Sequence, residues 1–330
     1  MEEPEVHPSE PFLASMIGGQ VGNPGELQVV LSAAGPLGRA VLGSLASGPS
    51  RVRGVVFDPS LVEGSYPASA EIVSADPLNV SSLAEAFRGA TVVYDCFEPR
   101  YSNWKRAIRE VISNALSAAI AAGASLVFAS HLLVSESDNA ALENDLLNAH
   151  DSNLTKTSVV RMPQIYGPRV VNVLWEHIFE CAILGKKAHW LGDLDVPRNL
   201  LYVDDAARMM TLLGRSPGAY GRRWNLSGPD PITGRAFMEL AYRAAGREPR
   251  VGHWGRGIMV TGRLLGSDAK EFLELPYDYY KPFVLDGSDL AKGFPSTAYT
   301  THQEAIGRTI QWFRAVLEKR PQSADGQATL

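Results

Sequence analysis

The chain has 330 residues, 45% of them hydrophobic, with a formal net charge of −5. That is enough apolar material for one large domain or a domain with an added lobe, and the acidic balance argues against nucleic acid or an anionic membrane as the main partner. Cys96 and Cys181 make neither metal-ligand spacing nor a disulfide framework, and no apolar run approaches the ~18 residues of a membrane span, so a cytoplasmic protein is expected.

Residues 1–25, with Pro4, Pro8, Pro11 and Pro24 and no periodicity, read as a flexible arm. Gly18-Gly19-Gln20-Val21-Gly22 imitates a phosphate loop, but no strand precedes it. The informative segment comes next. Leu27 to Leu31 is an apolar run, Ser32-Ala33-Ala34-Gly35-Pro36-Leu37-Gly38 a tight turn, and Arg39 onward a helix. Strand, glycine turn and helix in this order bring backbone N–H groups up to a pyrophosphate at the helix N-terminus. About 20 residues beyond Gly38, Asp58 ends the next apolar run, where a carboxylate accepts hydrogen bonds from a ribose diol.

Strands are predicted at 27–32, 52–57, 70–74, 91–96, 125–130 and 157–162, with helices at 38–47, 81–88, 104–122 and 138–149. Runs such as Thr91-Val92-Val93-Tyr94-Asp95-Cys96 are apolar on both faces, as in parallel strands covered on each side. Beyond Pro168 the pattern gives a helix near 170–185, short strands near 186–191 and 199–203, and helices over 232–246 and 302–318. Asp205 is expected to cap the helix that follows it, and Gly252 to Gly257 to form a loop. The fold class is therefore α/β: a doubly wound parallel sheet over 26–168 and a smaller mixed C-terminal substrate lobe over 169–320. Segments return to the sheet near 200–226, and a polar tail covers 321–330. Asp193/Asp195 and Asp204/Asp205 have no histidine or cysteine beside them, so no metal is expected. The helices at 104–122 and 138–149 either pair in a homodimer or cover the sheet of a monomer.

Four stretches in order resemble the extended short-chain dehydrogenase/reductases of the NAD-dependent epimerase/dehydratase type. They are Ser32 to Gly38, which has serine at the family's first glycine; Ala75-Asp76-Pro77-Leu78; Arg161 to Pro168; and Arg198 to Asp205. The resemblance implies a Rossmann-type fold and a nicotinamide dinucleotide. It assigns cofactor contacts to Ser32, Gly35, Pro36, Leu37, Gly38, Asp58, Asp76, Pro77, Cys96, Phe97, Ser130, Pro163, Gln164 and Ile165. Asp58 favours NADH, whereas Arg39, Arg51 and Arg53 offer places for the 2′-phosphate of NADPH.

One departure is large. The family's Tyr-x-x-x-Lys pair belongs on the helix after the fifth strand, yet residues 102–165 contain no tyrosine and Lys156 as their single lysine beyond Lys105. With Glu143 matched to the glutamate that follows the pair, Ser135 and Asn139 occupy the two places. Tyr101-x-x-x-Lys105 and Tyr277-x-x-x-Lys281 stand where the family has no such pair. Ser130 and His131, at the end of the fifth strand, are the candidate catalytic residues, as oxyanion donor and proton shuttle. A second route is substrate assistance: a ketone beside a phenol is polarised by its own hydrogen bond, so hydride delivery needs mainly orientation. Tyr101, Trp104, Tyr166, Trp190 and Tyr202, with Phe97 and Trp175, are candidate walls for an aromatic ketone. The expected activity is an NAD(P)H-dependent ketoreductase. A non-redox cyclase or isomerase on the same fold, or a dinucleotide-sensing regulator, is compatible with the missing pair.

Overall fold

β1 (Leu27–Leu31) is buried at every position and lies inside the sheet, next to its central strand. It is followed by α1 (Pro36–Ala46), β2 (Arg51–Val56), β3 (Ala70–Ser74), α2 (Val80–Ala86), β4 (Ala90–Asp95), α3 (Trp104–Ala122), β5 (Ser125–His131), α4 (Glu136–Asp151), β6 (Thr157–Met162) and β7 (Gln164–Tyr166). Then come α5 (Val173–Leu184), β8 (Ala188–Leu191), β9 (Pro197–Arg198), β10 (Leu200–Tyr202), α6 (Val203–Arg215), β11 (Arg222–Asn225), β12 (Ile232–Thr233), α7 (Gly234–Ala245), β13 (Val251–Trp254), α8 (Ser288–Gly293) and α9 (His302–Lys319). The computed structural model describes residues 25–58, 66–97, 104–131, 136–255, 279–295 and 297–319, without the side chains of 104–107, 131 and 136–139. The arm at 1–24, the imitation phosphate loop, Tyr101 and the tail lie outside the described residues.

The described residues fall into two units. The first takes those within 1–164, 203–228 and 285–299; the second takes those within 165–202, 229–284 and 300–330. The chain thus passes between the units more than once, at 164/165, 202/203, 228/229, 284/285 and 299/300.

The first unit holds a seven-stranded sheet in the order β11-β6-β5-β4-β1-β2-β3, parallel throughout. Strand order reverses between β1 and β4, whose last residues Leu31 and Asp95 are register partners. Ligands of doubly wound sheets bind beyond the carboxyl ends at such a reversal. One face carries α2, α3 and α4 over a core that includes Val29, Leu31, Val93, Ile108, Val111, Phe128 and Leu146. The opposite face carries α1 and α6, which pack on each other. There the Tyr94 hydroxyl donates to Gln28 Oε1 at 2.8 Å, a buried polar pair that satisfies both groups. Gly214 of α6 lies against that tyrosine because a Cβ would stand 2.6–2.7 Å from its ring carbons.

The second unit is built on aromatic packing. Phe237 meets Tyr166 at 5.1 Å and 90° and Trp175 at 5.3 Å, and Phe179 stacks on Phe313 at 5.1 Å. Side chains set the helix starts. Asn172 accepts from the Trp175 N–H and Thr233 from the Ala236 N–H, so α5 and α7 begin later than periodicity predicts. Two expectations fail locally. Asp205 is not a cap: α6 already starts at Val203, and the buried Asp205 carboxylate receives Arg208 at 2.7 Å. Gly252 to Gly257 is not all loop, since Gly252 to Trp254 belong to β13, which runs parallel to β8.

Gly214→Ala forces the Tyr94 ring out of place. Overpacking of this kind costs about 1–3 kcal/mol, and urea unfolding is expected to show that loss with Gln28 and Tyr94 unchanged in sequence.

Candidate functional site

The turn between β1 and α1 is shaped by two residues. Ser32 adopts φ 60°, the left-handed conformation that glycine enters freely and a serine enters at a cost. Its carbonyl accepts from Gly35 N–H at 3.0 Å, closing the turn. Gly38 is then pressed against it: a Cβ at 38 would lie 2.9 Å from Ala33 Cα and nearer still to the Ser32 carbonyl oxygen. Gly35 does a different job. It is the N-cap of α1 with φ −71° and ψ 165°, which any residue adopts, and a Cβ there would meet nothing closer than the Ser32 oxygen at 3.5 Å. Pro36 opens the helix, and no side chain caps it. The N–H groups of Leu37 and Gly38 consequently have no intrahelical partner, as at any helix start. An uncapped helix N-terminus under a glycine without a side chain fits a pyrophosphate. The Leu37 side chain is in the core at 1% exposure, so its part here is the backbone.

Asp58, half-buried, follows the carboxyl end of β2 after Phe57, which is 71% exposed. Asp76 is exposed, and its Oδ1 accepts from the Leu78 N–H at 2.9 Å; the Pro77 carbonyl accepts from Asn114 at 3.1 Å. The three arginines separate. Arg51 opens β2 at the amino edge, away from the turn. Arg53 is committed to Glu71 at 2.9 Å and to the Ala86 and Arg88 carbonyls. Neither is placed for a 2′-phosphate. Arg39 stays on the first turns of α1, where it donates to the Ala34 carbonyl and lies 5.0 Å from the Tyr66 ring centroid.

At the end of β4, Cys96 is buried and its N–H donates to the Leu31 carbonyl at 3.3 Å, tying this strand end to the glycine turn. Phe97 is half-buried, and its N–H donates to Asp95 Oδ1 at 3.0 Å. Asp95 was not among the expected site residues. It is fully buried, its Oδ2 has no hydrogen-bond partner, and burial pushes its carboxyl up to about 7 against the pull of the Phe97 N–H. The available signal was an acid ending a run that is apolar on both faces.

The Ser130 hydroxyl is engaged within the chain. The residue is 1% exposed, and its hydroxyl donates to Glu143 Oε1 at 2.7 Å. Glu143 on α4 also receives Arg161 of β6 and Arg223 of β11, the latter at 2.9 Å. Burial alone would raise the Glu143 carboxyl, but the bonds from Arg161, Ser130 and Arg223 hold it below the usual range. The serine is thereby part of a clamp that fastens α4 to the sheet edge. His131 ends β5, and its side chain, like that of Trp104, lies outside the described residues, as does Ser135; Asn139 lies on α4 with its side chain undescribed.

The expected substrate walls are mostly core. Trp175 and Trp190 are fully buried, as are Tyr166 and Tyr202, which lie 6.1 Å apart. Trp175 Nε1 donates to the Ile165 carbonyl, and Ile165 itself is 4% exposed. His302 Nε2 bonds the Asp230 carbonyl at 3.1 Å, which leaves Nδ1 to accept the Tyr166 hydroxyl at 3.0 Å. Large rings that bury so much area each fill a small unit's interior. Pro163 is buried after β6, and Gln164 is half-buried. Among the described residues no group of three His, Cys, Asp or Glu could hold a metal, and no helix is long and apolar enough to cross a membrane.

Residues 32–156 match the model of NAD(P)H-binding domains, and residues 139–227 match that of the NAD dependent epimerase/dehydratase family. A search of curated proteins found no match. Solved structures of the same fold include an epimerase from Methanothermobacter thermautotrophicus, with 17% identity, TM-score 0.73 and coverage of 94% of this chain and 98% of that one. UDP-glucose 4-epimerase from Thermotoga maritima has 17% identity and TM-score 0.70 over 88% and 99%. A dTDP-glucose 4,6-dehydratase from Streptomyces venezuelae, solved with NAD bound, has 15% identity and TM-score 0.69 over 87% and 96%. The protein shares the Rossmann-like fold of these structures, and its N-terminal match is to NAD(P)H-binding domains.

Two substitutions check this geometry. Ser32→Gly removes the left-handed strain and should raise stability by about 1 kcal/mol in thermal melts. Glu143→Gln should lose about 3 kcal/mol at neutral pH. Because the folded Glu143 carboxyl sits below its ordinary value near 4.5, wild-type stability from this clamp is present above that pH and lost as pH falls through the folded value. The variant should lack that acid-dependent loss.

Proposed function

We propose that the protein is an atypical NAD(P)H-dependent ketoreductase acting on a ketone of a large aromatic substrate. The observation that carries this reading is the combination at the sheet reversal. A glycine turn fits a pyrophosphate, while the helix that should carry Tyr-x-x-x-Lys has no tyrosine in its sequence. This combination resembles the angucyclinone ketoreductase of simocyclinone biosynthesis, which implies a polycyclic aromatic polyketide ketone as substrate.

When bound, the dinucleotide supplies a hydride. The chain's own residues do the holding. Leu37 and Gly38 N–H groups meet the pyrophosphate, Asp58 takes the adenine-ribose diol, Asp76 stands near the adenine, and Cys96 and Phe97 line the nicotinamide end. Losing a positioned general acid costs typically ~10²–10⁴ in rate, which slows a reductase without forbidding it. An ortho-phenol on the substrate offsets part of that cost through its internal hydrogen bond. Asp58 supports NADH as the preferred cofactor, and Arg39 is the arginine left near enough to accept NADPH.

The test uses NADH and NADPH deuterated at nicotinamide C4, in separate pro-R and pro-S forms, with a panel of hydroxylated polycyclic ketones. Deuterium on the new carbinol carbon, read by mass spectrometry, is the expected result. Tight dinucleotide binding without transfer to any ketone would replace this reading with the non-redox enzyme or the sensor. In the same assay, Asp58→Ala should weaken NADH at least tenfold while changing NADPH less; equal losses would remove Asp58 from the ribose site.

A further inference from the structure

A buried carboxyl that leaves one oxygen unsatisfied is costly, and native proteins keep few such groups without a use. Asp95 is such a group, and its location is informative. Its Oδ1 is held by the Phe97 N–H, so the carboxyl is fixed; its Oδ2 has no partner. Register pairs it with Leu31 of β1 on one side and Phe128 of β5 on the other, at the reversal of strand order. Side chains alternate along a strand, so Asp95 shares its sheet face with Val93 and, through Phe128, with Ser130. That is the face covered by α3 and α4, and α4 carries Asn139, which stands at the place of the family's lysine.

Among the described side chains no opposite charge explains the group, and Glu143 of α4 is engaged by Ser130, Arg161 and Arg223. β1 and β5 contain no Asp, Glu, Lys or Arg, the neighbouring Cys96 is a buried thiol, and on α3 the described charged side chains Arg109 and Glu110 are exposed. A carboxyl in such surroundings keeps its proton up to about pH 7 through desolvation.

We infer that Asp95, with one oxygen unsatisfied at the strand reversal, holds the proton that the substrate oxygen takes up on reduction, passing it through one bridging water in place of the helix tyrosine. This inference rests on the ketoreductase reading. The hydride forms the new C–H bond at the carbonyl carbon, and the C=O π pair becomes a lone pair on oxygen. That lone pair takes a proton from the water, the water takes one from Asp95 as its O–H bond breaks, and solvent reprotonates the carboxylate before the next turnover. The ketone is reduced and NAD(P)H oxidised. Asp95 is a proton-holding, positioning residue, since it reaches the substrate through water.

Asp95→Asn keeps an acceptor for the Phe97 N–H and removes the proton. Wild-type kcat should fall about tenfold per pH unit above about 7. The variant should be about 100-fold slower at pH 6 and flat across that range. A variant with the wild-type rate and the wild-type inflection overturns the inference.

A second measurement needs neither turnover nor the variant. Infrared difference spectra of the wild type should show a protonated-carboxyl C=O band at pH 6 that titrates away near pH 7 and shifts when NADH or NADPH is added. A band that ignores the dinucleotide would confine Asp95 to a structural role and overturn the inference. If no ketone accepts deuterium, the ketoreductase reading fails, and with it the proton-supply step. A band that moves with NAD(P)H would in that case still place Asp95 at the dinucleotide edge.

Discussion

The closeness of α1 to the Ser32 carbonyl is the constraint on which the first unit depends. Only a residue without a Cβ at 38 lets the helix start directly against the turn, and only a left-handed residue at 32 turns that carbonyl toward it. The usual solution to such a bend is glycine at both positions. Here the strain sits in a serine, and the surrounding sheet holds it: Ala33 N–H donates to the Val55 carbonyl at 3.0 Å, and Gly35 N–H to Ser32 itself. The direction of the helix, and hence of its exposed N–H groups, follows from these few bonds.

A second constraint acts at the other end of the sheet. One carboxylate, Glu143, joins β5, β6, β11 and α4 through a serine and two arginines. Two guanidiniums against one carboxylate leave a net positive clamp whose arginine side chains are each 31% exposed, so solvent carries the surplus charge. A fully enclosed version would be far more expensive. The same clamp engages the hydroxyl of Ser130, at a strand end where reactive residues often sit.

Much of the fold was legible in sequence because buried parallel strands have a simple signature. Thr91 to Cys96 and Ala124 to Ser130 are apolar on both faces, and they are strands. The glycine turn was legible too, since its residues are contiguous. What could not be read were bonds between distant positions. Nothing local in Arg223 announces Glu143, 80 residues earlier. Aromatic residues misled for a related reason. Tyr166, Trp190 and Tyr202 have the same composition signal whether they line a cleft or fill an interior, and only packing decides; Phe237, which meets two of these rings, lies far along the chain. Asp95 belongs to no motif, unlike its neighbours Cys96 and Phe97, and only its burial marks it out, since a buried acid is a rare event.

The outermost strand of the large sheet, β11, comes from residues 222–225 and lies parallel to β6, and α8 packs against it from residues 288–293. The first unit therefore cannot finish folding while it emerges from a ribosome in the order of its strands. Until residue 225 is available, β6 presents an open edge of unpaired backbone groups, the kind that invites pairing with another chain. Closing that edge also brings together segments far apart in sequence, which slows the search. A nascent chain stopped near residue 200 should thus need a chaperone or a protective partner that the complete protein does not.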